Sequence, residues 1–355
     1  MTTFVIAEAG VNHNGSLDLA FQLIEAAAEA GADVVKFQTF RAENLVAKHA
    51  PKAAYQKCTT DPDENQFNMI RKLELDKQQH GYLINHCHKC GIAFMSTPFD
   101  CDSLRLLTDY FKFDTIKVSS GDLTNAPFLL EIAGVAAQVI LSTGMSTLGE
   151  VEAALGVLAF GFVAPKDAVP SPEAFVQAYT SKEGQALLRQ RVTLLHCTTE
   201  YPAPIIEVNL RAMDTMAQAF GLRVGYSDHT QGIHIPIAAV ARGATIIEKH
   251  FTLDRTLPGP DHQASLEPAE LAEMVCAIRD VERCLGDGIK RPAPSEWKNR
   301  PIARKSLVAA RATQRCDPLV LVCKRPGNGC TPFRYWELQG TAAGRHYERD
   351  ELIDA

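Results

Sequence analysis

Phe4-Val5-Ile6-Ala7-Glu8, the helix-periodic stretch Leu17–Ala30 and Val34-Val35-Lys36-Phe37-Gln38 read as one strand–helix–strand unit, and that unit decides the fold. Both strands are apolar runs without strict alternation, the pattern of parallel strands covered on two faces. Between them Leu17, Ala20, Phe21, Ile24 and Ala28 recur at helical spacing, with Asp18 and Gly31 as end signals. The texture returns at Ile92–Thr97, Ile116–Ser119, Val139–Thr143, Val192–His196, Leu222–Tyr226 and Thr245–His250, which makes eight strands. Eight such repeats over residues 1–288 predict an α/β fold, a (β/α)8 TIM barrel, in preference to an open doubly wound sheet. A dinucleotide-binding unit would want G-x-G-x-x-G after the first strand, where the chain has Gly10-Val11-Asn12-His13-Asn14-Gly15. No P-loop pattern occurs either.

After Gly286-Asp287-Gly288 the texture changes. Residues 289–303 read as an extended linker, and residues 304–355 as a small β-rich domain too short to bury much core alone. Residues 300–355 carry ten Lys/Arg against six Asp/Glu, a balance of +4 within a chain of −6, so residues 1–299 carry −10. A basic appendage on an acidic barrel suits docking against a neighbouring barrel. Gly161–Gln190, with its Pro and Ser residues, reads as a surface excursion before the sixth strand.

The net charge of −6 argues against a nucleic-acid or membrane-surface binder but permits a locally basic pocket for an anion. No run of 18 apolar residues occurs, and the start Met1-Thr2-Thr3-Phe4-Val5-Ile6 lacks a signal-peptide pattern, so a cytoplasmic location is expected. The ten cysteines are expected as free thiols. Cys87 and Cys90 form a close pair with no second pair to complete a zinc ribbon.

Active sites of such barrels gather at the carboxyl ends of the strands. Here those ends carry Glu8, Lys36 with Gln38, Ser96-Thr97, Lys117 with Ser119-Ser120, Ser142-Thr143, His196, Ser227-Asp228-His229 and Glu248-Lys249-His250. A single strand-end lysine is ordinarily a solvated charge. Polar or ionisable ends on all eight strands are a site. His229 and His250 end adjacent strands and are candidate ligands of one divalent ion, with His262 as a weaker third. Lys36 and Lys117, with the Ser120 and Ser227 hydroxyls, suit a compact anion bearing phosphate and carboxylate. Glu8, Asp122 and Asp261 supply carboxylates for sugar hydroxyls or proton transfer. The residues alone thus point to a metal-assisted barrel enzyme acting on a small phosphorylated acid.

Ordered motifs along the chain resemble the sialic acid synthase family, which condenses phosphoenolpyruvate with an N-acetylated amino sugar. They include Ile6-Ala7-Glu8-Ala9-Gly10, Val35-Lys36-Phe37-Gln38-Thr39, Ser96-Thr97-Pro98-Phe99, Leu195-His196-Cys197-Thr198-Thr199-Glu200-Tyr201-Pro202, Gly225-Tyr226-Ser227-Asp228-His229, Glu248-Lys249-His250, Gly259-Pro260-Asp261-His262 and Lys324-Arg325-Pro326-Gly327-Asn328-Gly329. The resemblance implies a barrel followed by an antifreeze-like domain, in a domain-swapped homodimer where Arg325 reaches the partner's acetamido sugar. It implies that Lys36, Thr97, Lys117, Ser120 and Ser227 hold phosphoenolpyruvate, with Gln38 and Thr199 as further binding residues. His229 and His250 would hold Mn²⁺ or Mg²⁺. Glu8, Asp122, Tyr201 and Asp261 would line the sugar and water positions, with Glu8, Asp261 and Lys36 as the catalytic set. Glu8 would take a proton from water and Asp261 steer the aldehyde, roles that could be exchanged. The expected substrate is N-acetylmannosamine, giving N-acetylneuraminate. The alternative is a bis-acetamido-trideoxy hexose, giving legionaminate or pseudaminate, and a remote one is a non-catalytic glycan- or ice-binding protein. Asp122 stands where some members carry Glu, and Thr313–Val320 departs from the family's usual turn.

Overall fold

Eight parallel strands form one sheet: β1 Phe4–Gly10, β2 Val34–Thr39, β3 Ala93–Pro98, β4 Thr115–Val118, β5 Gln138–Ser142, β6 Val192–His196, β7 Arg223–Asp228 and β8 Ile246–His250. Their order is β3-β2-β1-β8-β7-β6-β5-β4, and β3 packs beside β4 without ladder pairing, so the sheet curls into a TIM-like barrel. Each strand lies within two residues of its expected limits. The computed structural model describes residues 2–53, 60, 64–165 and 167–354, so Met1, Cys58 and Lys166 lie outside the described residues. The chain divides into two units, Met1–Gly286 and Asp287–Ala355.

The barrel's helices are α1 Leu17–Glu29, α2 Lys77–Cys90, α3 Cys101–Arg105, α4 Ala126–Val135, α5 Leu148–Val163, α6 Arg211–Phe220, α7 His234–Ala241 and α8 Pro268–Leu285. Ser16 caps α1 by accepting from the Leu19 N–H at 3.3 Å. Gly31, at φ 76°, turns the chain out of that helix toward β2.

Side chains alternate across each strand, so every second residue enters the barrel lumen. Ile6, Val34, Met95, Ile140, Leu195 and Ile246 form one buried cluster, the apolar floor. Two positions along, the same faces bring Glu8, Lys36, Thr97, Ser142, Cys197 and Glu248 to the level above. At Gly225 on β7 a Cβ would lie 2.5 Å from the Ile246 carbonyl oxygen and 2.7 Å from Leu195 Cδ2. The floor therefore has no room for a side chain there. A larger cluster packs the outer strand faces against the helices.

Gly161–Gln190, expected as a surface excursion, is instead part of the barrel's outer layer. Its start completes α5, and two further helices follow, Pro172–Thr180 and Lys182–Arg191. Ser171 and Ser181 cap them, and Pro172 occupies a first-turn position where its missing N–H costs nothing. Ala178 and Leu188 are buried in the main core, and Phe175 meets Phe160 of α5 edge-on at 5.3 Å.

In the second unit β9 Ser306–Ala309 pairs antiparallel with β10 Leu321–Lys324. Leu307, Ala309, Leu319, Leu321, Cys330, Ala343, Tyr347 and Ile353 make its small core. Residues 289–303, expected to be extended, contain two short helical turns, Pro294–Glu296 and Arg300–Ala303, the first held by Glu296 accepting from the Ala293 N–H at 2.6 Å. The divergent Thr313–Val320 segment is well tied: Asp317 donates its N–H to the Gln314 carbonyl at 3.1 Å, and Leu319 donates to Thr341 at 2.8 Å. The nine described cysteines are free thiols.

Candidate active site

A cavity of about 400 Å³ opens at the carboxyl ends of the barrel strands. Glu8, Lys36, Gln38, Thr97, Lys117, Ser120, Thr199, Tyr201, Ser227, His229, His250 and Asp261 all line it. The ladder explains the convergence. Glu8 pairs in register with Lys36 on one side and His250 on the other, Gln38 with Thr97, and Ser227 with Glu248.

The charged centre is a buried relay of two carboxylates and two ammoniums. Lys36 Nζ lies 2.7 Å from Glu8 Oε2 and 3.5 Å from Glu248 Oε2, and donates to Thr97 Oγ1 at 2.9 Å. Lys117 Nζ lies 3.3 Å from Glu248 Oε1, which also accepts from the Ser227 hydroxyl at 2.9 Å. Gln38 Nε2 donates to Glu8 Oε1 at 3.3 Å.

Burial and partners split the two carboxyls. Burial pushes Glu8 up to about 7, with the Lys36 ammonium working the other way. Burial acts to raise Glu248 too, but the ammoniums of Lys117 and Lys36 and the Ser227 hydroxyl outweigh it and hold it well below the usual range. Burial would lower Lys36, yet Glu248 and Glu8 keep it above its ordinary value. Lys117 is lowered by burial, which its contact with Glu248 offsets only in part. Burial alone raises Asp261 to about 6.

The Ser120 hydroxyl accepts from the Gly144 N–H at 2.9 Å and lies 3.2 Å from Cys197 Sγ. Thr199 Oγ1 is buried without a hydrogen-bond partner. A Cβ on Gly144 would fall on Thr199 Oγ1 and lie 2.8 Å from Ser120 Oγ. The missing side chain of Gly144 therefore leaves room for Thr199 and Ser120, which line the cavity.

The His229 and His250 rings are 5.6 Å apart, with Tyr201 4.3 Å from the first and 5.7 Å from the second. His229 Nδ1–H donates to the Thr198 carbonyl at 2.6 Å, which leaves the Nε2 lone pair available. His250 Nδ1 is buried with no hydrogen-bond partner, 3.9 Å from Asp261 Oδ2. Burial lowers both imidazoles and keeps them neutral, the form that ligates metal. The pair thus fits a divalent cation. His262, the weaker third candidate, does not join it: its Nδ1 accepts from the Thr252 hydroxyl at 2.7 Å and its Nε2–H faces Asn14 Oδ1 at 3.2 Å. Among the described residues no cluster of three or more His, Cys, Asp or Glu is arranged for a metal.

One expected residue does not line the cavity. Asp122 sits in the turn after β4, where Oδ1 accepts from Asn125 Nδ2 at 3.1 Å. Arg325 belongs to the second unit, where its exposed guanidinium donates through Nε to the Ala303 carbonyl at 3.0 Å. Other strand-end candidates have structural duties. His196 Nε2–H donates to the Val208 carbonyl at 2.6 Å, and Lys249 pairs with Asp228 at 2.6 Å, fully buried. The strand-end pattern assigns no role to a residue of greater consequence, Glu248, which joins both lysines. Its signal was its parity with His250: two apart on a strand, they share a face, while Lys249 takes the other.

The chain matches the NeuB family over residues 23–290. It is 51% identical over 99% of its length, and 98% of the relative's, to the N,N'-diacetyllegionaminic acid synthase of Campylobacter jejuni serotype O:2. It is 42% identical, over 96% of its length and 90% of the relative's, to the N,N'-diacetyllegionaminic acid synthase of Legionella pneumophila. Among solved structures, the N-acetylneuraminic acid synthetase of Leptospira borgpetersenii superposes with a TM-score of 0.65 at 33% identity, covering 84% of this chain and 90% of that one. Among the described residues no helix is long and apolar enough to cross a membrane.

Proposed function

The chain belongs to the NeuB family, and from that premise we propose that it condenses phosphoenolpyruvate with a bis-acetamido-trideoxy hexose and water, giving a nonulosonic acid of the legionaminate type and phosphate. This sets the alternative sugar ahead of N-acetylmannosamine. What supports the order is similarity: 51% and 42% identity to two N,N'-diacetyllegionaminic acid synthases, against 33% to an N-acetylneuraminic acid synthetase. The single observation that carries the reaction class is the buried Lys36–Glu248–Lys117 grid with Ser227 and Ser120 beside it in the same cavity.

In this reading the two ammoniums and the hydroxyls of Thr97, Ser120 and Ser227 hold the phosphate and carboxylate of phosphoenolpyruvate by charge-assisted hydrogen bonds. The enol carbon forms a bond to the sugar's aldehyde carbon, and the adjacent carbon becomes cationic. Water adds there and the carbon–oxygen bond to phosphate breaks, so the oxygen leaves with phosphate. Glu8, raised toward neutrality and 2.7 Å from Lys36, takes the proton from that water. Asp261, on the His250 side, directs the aldehyde oxygen. Mn²⁺ or Mg²⁺ held by His229 and His250 would supply Lewis-acid polarisation of the aldehyde. The second unit serves, by the same reading, as an antifreeze-like cap in a domain-swapped homodimer, where Arg325 meets an acetamido group in the partner's barrel. Arg325 enters none of the ion pairs among the described residues, which leaves its charge for such a task.

The test is phosphate release from phosphoenolpyruvate with each sugar, with EDTA or with Mn²⁺. Release that needs both an acetamido sugar and the metal supports the reading. Release without sugar, or undiminished by EDTA, overturns it.

A further inference from the structure

The cavity has a half that the chemistry above leaves unused. Val11, Phe40, Leu45, Met69, Ile70 and Phe99 wall it beside the charged centre. Val11, Phe40 and Leu73 form a buried cluster against which Leu45, Ile70 and Phe99 pack. Phe40 and Phe99 brace it edge-on at 6.2 Å. The wall is built on defined elements. Phe40 follows β2, Phe99 follows β3, and short helices Ala42–Leu45 and Gln66–Arg71 in the β2–α2 connection supply Leu45, Met69 and Ile70. Leu45, Ile70 and Phe99 are only partly buried and face the cavity, so the surface is available to a ligand.

Two substrates of very different polarity would meet this wall differently. N-acetylmannosamine ends in a C6 hydroxymethyl group, whose hydroxyl would be stripped of water there without gaining a partner. A trideoxy hexose ends in a C6 methyl group, which gains by leaving water. We propose that Leu45, Met69, Ile70 and Phe99 form a specificity-determining subsite that receives the 6-deoxy methyl end of the sugar. The inference rests on the synthase reading above and deepens it: the lysine grid selects the phosphorylated acid, and this wall selects the deoxy sugar.

The experiment uses the full-length protein with Mn²⁺ and measures kcat/KM by phosphate release with three sugars. These are N-acetylmannosamine, its 6-deoxy analogue, and the bis-acetamido-trideoxy hexose. The first two differ only at C6, so their ratio reads the wall alone. The wild-type protein is expected to favour the 6-deoxy analogue about tenfold, the discrimination a single apolar contact provides. Ile70→Asn and Leu45→Asn are each expected to cut that preference severalfold while leaving KM for phosphoenolpyruvate within twofold, with melting curves confirming the fold. Equal kcat/KM for the C6 pair in the wild-type protein overturns the inference without needing any variant, as does an unchanged preference in both folded variants. A C6 preference alongside no use of the bis-acetamido sugar leaves the wall standing and defeats the proposed substrate. No release with any of the three defeats both.

Discussion

Replacing Glu248 by Gln removes one negative charge from a site that holds two buried ammoniums. Among the described residues Lys117 has no other ion pair, and it is 4% exposed, so water cannot take over. Lys36 is less affected because Glu8 remains 2.7 Å away. Gln keeps the size of the side chain and can still accept from Ser227, so the change is chiefly one of charge. Stripping one partner from a buried pair costs about 3–5 kcal/mol, and the retained Glu8 contact argues for about 3. At about 2–4 °C per kcal/mol for a unit of this size, melting should fall by roughly 6–12 °C. A bound polyanion would restore the missing negative charge. Saturating phosphoenolpyruvate should therefore raise the melting temperature of the Glu248→Gln protein by more than it raises that of the wild type. Thermal melts followed by circular dichroism, with and without phosphoenolpyruvate, measure both quantities. A variant that melts within about a degree of the wild type, or gains no more from the ligand, would refute the account of Glu248 as the shared counter-charge.

Other outcomes follow from the same geometry. Gly144→Ala should fold yet raise KM for phosphoenolpyruvate about tenfold or more, because the new methyl group displaces Ser120 and Thr199; unchanged kinetics would remove Gly144 from the site. His13 is fully buried, and burial, then the neighbouring His80, lowers it from 6.5 to about 4, so the native state refuses a proton that the unfolded chain accepts. The His13 contribution to stability should be flat above pH 6.5 and fall as pH drops toward 4, by about 2 kcal/mol at pH 5, so urea midpoints of His13→Gln should fall less steeply over that range than those of the wild type. Mixing inactive His229→Ala and Arg325→Ala proteins should recover activity through heterodimers if Arg325 acts on the partner's barrel; heterodimers without activity would contradict the shared site.

The barrel was legible in the sequence because each strand is a short apolar run closed by a polar residue, a pattern that survives errors of a residue or two at either end. Most of the site was legible for the same reason. Strand ends must converge in a closed barrel, so the sequence alone gathers Lys36, Lys117, Ser227 and His250. Glu248 was harder, since Glu248-Lys249-His250 offers three ionisable residues in a row and only strand parity sorts the inward pair from the outward lysine. Asp122 was harder to place, because the turn after β4 carries its carboxyl to Asn125 rather than along a strand direction. The helices within Gly161–Gln190 were hidden by their own caps, as Ser171-Pro172 and Ser181 read equally well as loop residues or as helix starts. The apolar cavity wall was not legible at all. Its members come from three connections, and nothing in their spacing reports that Leu45, Ile70 and Phe99 pack against one cluster.

The central claim is that this barrel joins phosphoenolpyruvate to a bis-acetamido-trideoxy hexose, and one competition measures it. The protein, Mn²⁺ and phosphoenolpyruvate are given equal concentrations of that hexose and N-acetylmannosamine, and the products are quantified by mass spectrometry at low conversion. The ratio of products then equals the ratio of kcat/KM values. The account predicts a mixture dominated by the bis-acetamido nonulosonic acid, by about tenfold or more. A mixture dominated by N-acetylneuraminate would contradict it.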